Sequence, residues 1–141
     1  MYKRQHGHTA RVDPLDLTPH VGELARLLDT DSDWVAAHRL EAAARCAERY
    51  RAVVLLKGPD TIVRAPDGRI VVSDHGPGSL ATAGTGDVLT GVVGAFLAKG
   101  LEPLEAAAAA AVAHGLAAQR VVPQAGLVAS DVVEALPAVL A

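Results

Sequence analysis

Gly84-Thr85-Gly86-Asp87 lies where a polar, glycine-rich loop meets an apolar helix. The whole stretch reads Gly76-Pro-Gly-Ser-Leu-Ala-Thr-Ala-Gly-Thr-Gly-Asp-Val-Leu-Thr-Gly91. Beyond Asp87, apolar residues recur at the spacing of one helix face, namely Val88, Leu89, Val92, Val93, Phe96 and Leu97. We therefore predict a helix that begins at or just before Asp87.

This turn combines an anion site with a neighbouring carboxylate. Glycines let a ligand approach the backbone closely, and the unpaired N–H groups of a helix N-terminus attract negative charge. Asp87 adds a group that can orient or deprotonate a hydroxyl attacking phosphorus. The pairing points to phosphoryl transfer, although a glycine-rich turn with an Asp in the first helical turn also occurs as a purely structural feature.

The composition describes one globular domain with a small-molecule partner. The chain has 141 residues, of which 50% are hydrophobic and only 3% aromatic, so its core must be built from Ala, Val and Leu. A net charge of -3, without a block of Lys and Arg, argues against a nucleic-acid partner or an anionic membrane. We expect no nucleic acid and no membrane among its partners.

Three features favour a reducing, cytoplasmic setting. Cys46 has no second cysteine with which to form a disulfide. No stretch approaches the ~20 apolar residues that span a bilayer, and no apolar signal segment is visible. We interpret residues 1–10 as a disordered tail or a truncation scar, and residues 11–141 as a partial domain.

The first half of the chain predicts a short strand and two helices. Val12–Leu17 alternates weakly, and Pro14 would place this strand at an edge. Thr18 is the predicted N-cap and Pro19 the first residue of a helix that buries leucines 24, 27 and 28. A second helix is predicted from Asp31-Ser32-Asp33 to about Arg49, with Trp34 in the core and with His38 and Arg39 facing solvent.

Ala52–Leu56 is a continuous apolar run, which predicts a central strand covered on both faces in a parallel sheet. It leads into Lys57-Gly58-Pro59-Asp60-Thr61, at the strand end where open α/β sheets bind ligands. The same five residues are equally consistent with a simple turn. Thr61–Arg64 and Arg69–Ser73 flank a turn and predict a hairpin.

The C-terminal part predicts helices that pack closely. Lys99 and Gly100 end the helix of the glycine-rich stretch, and Glu102-Pro103 starts an alanine-rich helix to about Arg120. His114 within it is expected to be a satisfied core or groove histidine. Ser130 is the predicted cap of a last helix, Asp131 to about Leu140. The six histidines form no His-x-x-x-His or Cys/His set, so no metal-ligating residue is predicted.

Three stretches, in this order, resemble the ADP/ATP-dependent NAD(P)H-hydrate dehydratases of the ribokinase-like superfamily. They are Leu17-Thr-Pro-His-Val-Gly-Glu23, Leu56-Lys-Gly-Pro-Asp-Thr61 and Ala81-Thr-Ala-Gly-Thr-Gly-Asp-Val-Leu-Thr-Gly91. The segment Gly126–Pro137 also resembles the last helix of that family. The resemblance implies the C-terminal part of a three-layer α/β/α sandwich, with the family's N-terminal strands and helices missing.

The resemblance also implies a reaction and a role for each matching residue. ADP or ATP, with Mg²⁺, would phosphorylate the hydroxyl of hydrated NADH or NADPH, and loss of phosphate would restore the ring. Asp87 would contact this substrate and its hydroxyl, and His20 would touch the hydrated dinucleotide. Gly84, Thr85 and Gly86 would hold the transferred phosphoryl group. The residues implied to bind the nucleotide are Lys57, Gly58, Pro59, Asp60, Thr61 and Gly86.

The chain departs from the family pattern in several places. Gly76-Pro77-Gly78 replaces an Asn-Pro-Gly type sequence, and Val21 and Ala83 stand where Pro and Gly are more usual. A sheet without its first strands exposes an edge, which predicts pairing with another chain in a homo-oligomer. Two other functions stay open: a ribokinase-like kinase acting on a vitamin precursor, and a nucleotide-binding fragment without activity.

Overall fold

A sheet of three strands lies between two groups of helices in the computed structural model, which describes residues 16–141. The predicted tail, residues 1–10, and most of the Val12–Leu17 strand lie outside the described residues. The elements, in chain order, are α1 (Val21–Leu28), α2 (Ser32–Ala37), α3 (Arg39–Tyr50), β1 (Val54–Leu56), β2 (Thr61–Arg64), β3 (Ile70–Ser73), a short 3-10 turn (Gly78–Ala81), α4 (Thr85–Ala98), α5 (Pro103–Arg120), α6 (Ala129–Ala135) and α7 (Pro137–Leu140).

Helix α1 begins later than predicted, because His20 and not Thr18 is its N-cap. His20 Nδ1 accepts hydrogen bonds from the amides of Gly22 and Glu23, and the Glu23 carboxylate accepts one from the His20 amide. This reciprocal capping box satisfies helix amides that would otherwise be unpaired. Leu24 is fully buried, as predicted, and Leu27 and Leu28 pack beside it.

The predicted long helix after Asp31 is two helices, α2 and α3, that meet at His38. The His38 backbone leaves the helical region, with φ at -128° and ψ at 44°, and its ring stacks on Trp34 at 4.9 Å. Asp31 caps α2 as expected, accepting bonds from two amides of its first turn. The expectation that Arg39 faces solvent is wrong, since its side chain is only 17% exposed.

Strand β1 is buried along its whole length, as the apolar run predicts. Its pairing is mixed: the neighbouring segment at Leu17 runs parallel to it, whereas β2 runs antiparallel. The all-parallel expectation is therefore wrong on the β2 side. Only four residues connect β1 to β2, and a parallel partner needs a crossover of a dozen or more. The predicted hairpin of β2 and β3 is confirmed, with Ile62 opposite Val72.

The core has two faces because successive strand residues point to opposite sides of the sheet. Val53 and Leu55 face helices α4 and α5. Val54 and Leu56 face α1 and α3, next to the buried Cys46. The described part of the chain thus has three layers, helices on each side of one sheet.

Helices α4 and α5 match their predictions closely, with α5 running from Pro103 to Arg120 and Gly100 adopting a positive φ. The last helix differs: α6 begins at Ala129, so Ser130 lies inside it. Asp131 instead accepts a hydrogen bond from the Val128 amide, one turn back. Pro137 starts the separate short helix α7. Among the helices of residues 16–141, none combines the length and the hydropathy of a membrane-spanning segment.

Candidate functional site

A cleft of about 800 Å³ opens at the ends of α1 and β1, beside the N-terminus of α4. The turn after β1, the loop between β3 and α4, and helix α5 all contribute to its lining. The cleft is lined by His20, Val21, Lys57, Gly58, Pro59, Thr61, His75, Gly76, Pro77, Gly78, Leu80, Ala81, Thr82, Thr85, Gly86, Leu89, Ala111 and His114. It brings together residues from all three sequence stretches that suggested the function.

The N-terminus of α4 points unpaired N–H into this cleft. Gly84, the N-cap, has φ at 86°, a left-handed conformation that glycine adopts without strain. Within residues 16–141 the Gly86 amide has no hydrogen-bond acceptor, whereas the Asp87 and Val88 amides bond the Gly84 carbonyl oxygen. A helix N-terminus with a free amide and a partial positive charge is suited to a phosphate group.

Lys57 adds a full positive charge at the same place. Its backbone amide donates to the Pro19 carbonyl oxygen at 2.9 Å, which ties the end of β1 to the segment before α1. A methyl group at position 86 would lie 3.1 Å from Lys57 Nζ, so the ammonium group lies directly against the Gly86 backbone. Lys57 Nζ is also 3.8 Å from Glu23 Oε2. A phosphate at the end of α4 would therefore meet both a cation and a backbone amide.

His20 also lines the cleft, and Glu23 lies near both His20 and Lys57. Because its Nδ1 accepts two backbone hydrogen bonds, the neutral ring carries its proton on Nε2. That Nε2 is 3.5 Å from Glu23 Oε1, and about half of the His20 side chain is exposed. The amide of His20, donating to the Glu23 carboxylate, is the main cause of the lowered pKa of Glu23. His20 thus caps the helix through one ring nitrogen and presents the other toward solvent.

Two predicted catalytic residues at the start of α4, Thr85 and Asp87, differ in solvent exposure. Thr85 is 3% exposed, and its hydroxyl lies 2.6 Å from the Leu80 carbonyl oxygen and 2.8 Å from that of Thr82. The Thr85 side chain is therefore committed to holding the loop. Asp87 is exposed in the first turn of α4, and its carboxylate makes no hydrogen bond within the described chain. Gly84 and Asp87 do not line the cleft, whereas Thr85 and Gly86 between them do.

Of the predicted nucleotide-binding residues after β1, all but one line the cleft. Lys57, Gly58, Pro59 and Thr61 line the cleft, and Asp60 does not. The Asp60 carboxylate instead accepts a hydrogen bond from Arg39, which holds the pKa of Asp60 below its ordinary value. The turn therefore presents one surface to the cleft and another to helix α3.

Sequence reasoning missed the contribution of His75 to the cleft wall. His75 lines the cleft, and its carbonyl group packs so closely on Gly115 that a methyl group there would overlap it. The position of His75 directly before Gly76-Pro77-Gly78 was the available signal. His114 is buried as expected, and its Nε2 donates to the Thr85 carbonyl oxygen at 2.9 Å. This bond joins α5 to the first turn of α4.

Residues 16–141 contain no group of three His, Cys, Asp or Glu side chains that converge on a metal position. The donors at the cleft, an ammonium group and backbone amides, suit an anion and not a bare cation. A magnesium ion would accordingly rely on phosphate oxygens and water for most of its ligands, as is usual in nucleotide sites.

Comparison with known proteins agrees with this geometry. The family model for NAD(P)H-hydrate dehydratase matches residues 1–138. The chain is 45% identical over 130 residues to a bifunctional NAD(P)H-hydrate repair enzyme of Moorella thermoacetica, covering 90% of this chain and 24% of that protein. It is 46% identical over 115 residues to an ADP-dependent (S)-NAD(P)H-hydrate dehydratase of Neisseria meningitidis, covering 82% of this chain and 39% of that one.

Solved structures show the same fold. An ADP/ATP-dependent NAD(P)H-hydrate dehydratase from Bacillus subtilis, co-crystallised with ATP and Mg²⁺, superposes with a TM-score of 0.84 at 33% identity, covering 90% of this chain and 47% of that one. A ribokinase-like protein from Enterococcus faecalis superposes with a TM-score of 0.75 at 25% identity, covering 89% and 43%. The chain spans less than half the length of these relatives, and its fold is the corresponding part of the ribokinase-like α/β fold. By its motifs, its cleft and these matches, the chain belongs to the NAD(P)H-hydrate dehydratase family.

Proposed function

We propose that this chain supplies the nucleotide-binding and phosphoryl-transfer part of an ADP- or ATP-dependent NAD(P)H-hydrate dehydratase, a carbon–oxygen lyase that repairs nicotinamide cofactors. The observation that carries the proposal is the meeting of Lys57 with the unpaired Gly86 amide at the N-terminus of α4. Relatives that are 45% and 46% identical are named for this reaction. The proposed substrate is hydrated NADH or NADPH.

Nucleotide binding is favoured by charge and shape. The phosphates would lie at the α4 N-terminus, between Lys57 and the Gly86 amide, where a helix dipole and a cation act on the same anion. The turn Gly58–Thr61 forms the wall beside them. Leu80, Leu89 and Ala111 supply an apolar surface for the flat parts of a ligand.

The chemistry would use Asp87 as the base. Its exposed carboxylate would take the proton of the substrate hydroxyl as that oxygen attacks the terminal phosphorus. The bond between phosphorus and the nucleotide's bridging oxygen breaks, and a new phosphorus–oxygen bond forms. The carbon–oxygen bond then breaks with release of phosphate, and loss of a ring proton restores the double bond. Phosphorylation matters because hydroxide is a poor leaving group.

Two further parts of the proposal concern the surroundings of the reaction. Mg²⁺ bound to the phosphates would neutralise charge during transfer. Cys46, buried and without a disulfide partner in the sequence, is compatible with the cytoplasm. We also propose that the working form is a homo-oligomer, in which another chain covers the sheet edge.

The binding step is tested by replacing Lys57, with Lys99 as the matched control. Lys99 is an exposed lysine at the far end of the same helix α4. We expect Lys57→Met to weaken ADP binding, measured by calorimetry, by about 10- to 100-fold, because a charge-assisted contact is lost. Lys99→Met should change the dissociation constant less than about twofold. Equal effects of the two substitutions would show that the phosphates do not bind at the α4 N-terminus.

The chemical step is tested by Asp87→Asn, with Asp33→Asn as control. Asp33 is also an exposed carboxylate in a first helical turn, that of α2. Turnover is measured as the return of reduced-nicotinamide absorbance from hydrated NADH with ADP and Mg²⁺. We expect Asp87→Asn to lower the rate by about 100-fold or more while ADP affinity is retained, because a general base is lost. Full activity in this variant would exclude Asp87 as the base.

A second candidate is a ribokinase-like small-molecule kinase. The chain superposes on a hydroxyethylthiazole kinase from Pyrococcus horikoshii with a TM-score of 0.73 at 25% identity. The two reactions share the phosphoryl transfer and differ in the fate of the phosphorylated product. A stable phosphate ester would favour the kinase, whereas elimination of phosphate favours the dehydratase. Binding of ADP without turnover by this chain, together with turnover by a longer form, would identify a non-catalytic nucleotide-binding fragment.

A further inference from the structure

We propose that Arg39 is a positioning residue for the nucleotide site, although it does not line the cleft. It binds Asp60 in the turn Lys57–Thr61 and thereby restrains the backbone that would face the nucleotide. This inference rests on the proposed function, because it assumes that the turn binds ADP. Its physical basis is a set of contacts between helix α3 and the turn.

Arg39 binds both the side chain and the backbone of one residue. Its Nη1 donates to the Asp60 carboxylate, and its Nη2 donates to the Asp60 carbonyl oxygen at 2.5 Å. A planar guanidinium that makes two such bonds fixes orientation as well as distance. Asp60 therefore cannot rotate its peptide group without breaking a hydrogen bond. Because Asp60 is directly joined to Pro59 and Thr61, this restraint is transmitted to the cleft wall.

Gly58 provides the space that this contact requires. A methyl group at position 58 would lie 2.8 Å from Arg39 Cζ, and nearer still to Nη2. Gly58 is absent from the glycines with a positive φ, so its backbone conformation does not itself demand glycine. The guanidinium is therefore packed directly on the Gly58 backbone. Because Gly58 has no side chain, the Arg39 guanidinium can pack against the turn at this position.

The Arg39–Asp60 contact is expected to add little to the free energy of unfolding and to act mainly by fixing the conformation of the turn. Arg39 is 17% exposed, and its Nε is buried without an acceptor among residues 16–141. Burying part of a guanidinium carries a desolvation cost that offsets much of the attraction to Asp60. What remains is control of geometry. By contrast, Arg49, on the same helix α3, pairs at 3.1 Å with Asp29 at the C-terminal end of α1; both side chains are exposed, and neither residue lines the cleft.

The turn needs such a restraint because only its ends are held by the sheet and its neighbours. The Lys57 amide is bonded to Pro19, and Thr61 pairs with Ser73 in β2 and β3. The residues between these anchors have no backbone partner in the described chain other than the Arg39 bond to Asp60. A turn ordered before binding loses less conformational entropy when a ligand arrives.

The first test compares Arg39→Ala with Arg49→Ala, which removes an exposed arginine from the same helix. Hydrogen–deuterium exchange of the segment 57–61 is measured on the ligand-free chain, and ADP affinity is measured by calorimetry. We expect Arg39→Ala to raise exchange of the hydrogen-bonded Lys57 amide by about tenfold or more, because the turn opens more often, whereas the Gly58 and Asp60 amides, which have no backbone acceptor in the described chain, exchange rapidly in both variants. We expect it to weaken ADP binding by about 5- to 20-fold. Arg49→Ala should leave both unchanged, even where the two variants lose similar thermal stability.

The second test uses Gly58→Ala in two backgrounds. In the wild-type chain the added methyl group displaces the guanidinium, so exchange and ADP affinity should change as in Arg39→Ala. In the Arg39→Ala background the same methyl group meets no guanidinium, so it should have little further effect on exchange in the segment 57–61. Unchanged exchange in Arg39→Ala, or additive effects of the two substitutions, would overturn the inference. Failure of the wild-type chain to bind ADP would refute the proposed function, while the exchange result would still decide the role of Arg39.

Discussion

His114 is a titratable group that the fold keeps in its neutral form. Burial is the main cause of its lowered pKa; the bond to the Thr85 carbonyl oxygen opposes the shift, and the charge of Lys57 adds to it. A carbonyl oxygen only accepts, so His114 Nε2 carries a proton in the folded state. A second proton would have to enter a buried site near a lysine.

This lowered pKa predicts a specific pH dependence of stability. Above the ordinary histidine value, about 6.5, neither the folded nor the unfolded state carries the extra proton, so nothing is lost. As the pH falls below it, the unfolded chain binds a proton that the folded chain resists, and stability decreases. Between pH 7.5 and 5.5 the wild type should therefore lose more unfolding free energy than His114→Gln, which keeps a donor without titrating.

The measurement is urea unfolding at several pH values, with His75→Gln as the control because His75 is exposed. The comparison must be between variants. Burial raises the pKa of Asp16 to about 6, so its contribution is full at low pH and lost as the pH rises, which opposes that of His114. Parallel pH profiles for wild type and His114→Gln would contradict the assignment.

The sequence predicts cleft residues best where a local pattern marks them. Lys57 comes directly after a buried strand, and Gly86 lies in a glycine-rich turn before a helix; both were predicted, and both line the cleft. Arg39 could not be found in this way. Its position in an apparently continuous helix indicates a solvent-exposed side chain, and its partner Asp60 is 21 residues away. Only the packing of α3 against the turn brings the two together.

At the scale of elements, helices with strong local signals were predicted well. Helix α5 begins at the predicted Pro103. Helix α4 begins within the glycine-rich turn, and its N-cap Gly84 has a positive φ. The errors fall where two signals compete. Thr18-Pro19 is a standard helix start, yet His20 and Glu23 form a better capping box two residues later. Because this box uses Nδ1 of His20, the difference also determines which ring nitrogen is available to a ligand.

The direction of the strands was the weaker part of the fold prediction. An apolar run indicates burial on both faces, and β1 is buried on both faces. Burial alone does not determine the direction of the neighbouring strand. The connection, residues 57–60, contained that information, since a link of only four residues makes β1 and β2 antiparallel.

For the whole molecule, the sheet is the structure that unites the two helical layers. Its strands contribute Val53 and Leu55 to one core face and Val54 and Leu56 to the other. The cleft lies at the junction of both layers, since Lys57 comes directly after β1 while Gly86 belongs to α4. A site built from both layers keeps its geometry only if the two layers hold the same relative position. We therefore expect the described part of the chain to unfold as one cooperative unit.

Trp34 can test this expectation, because it is the one tryptophan of the chain and packs against the α1–α3 face of the core. Leu104, on α5, is buried in the opposite face. Leu104→Ala should lower the free energy of unfolding by about 2–5 kcal/mol through loss of core packing. If the layers unfold together, Trp34 fluorescence and far-ultraviolet circular dichroism should show one shared midpoint, shifted equally. Leu40→Ala, on α3 but 57% exposed, should shift neither curve appreciably. A Trp34 transition that stays in place while the dichroism midpoint falls would mean that the two layers unfold separately, and that binding in the cleft must itself hold them together.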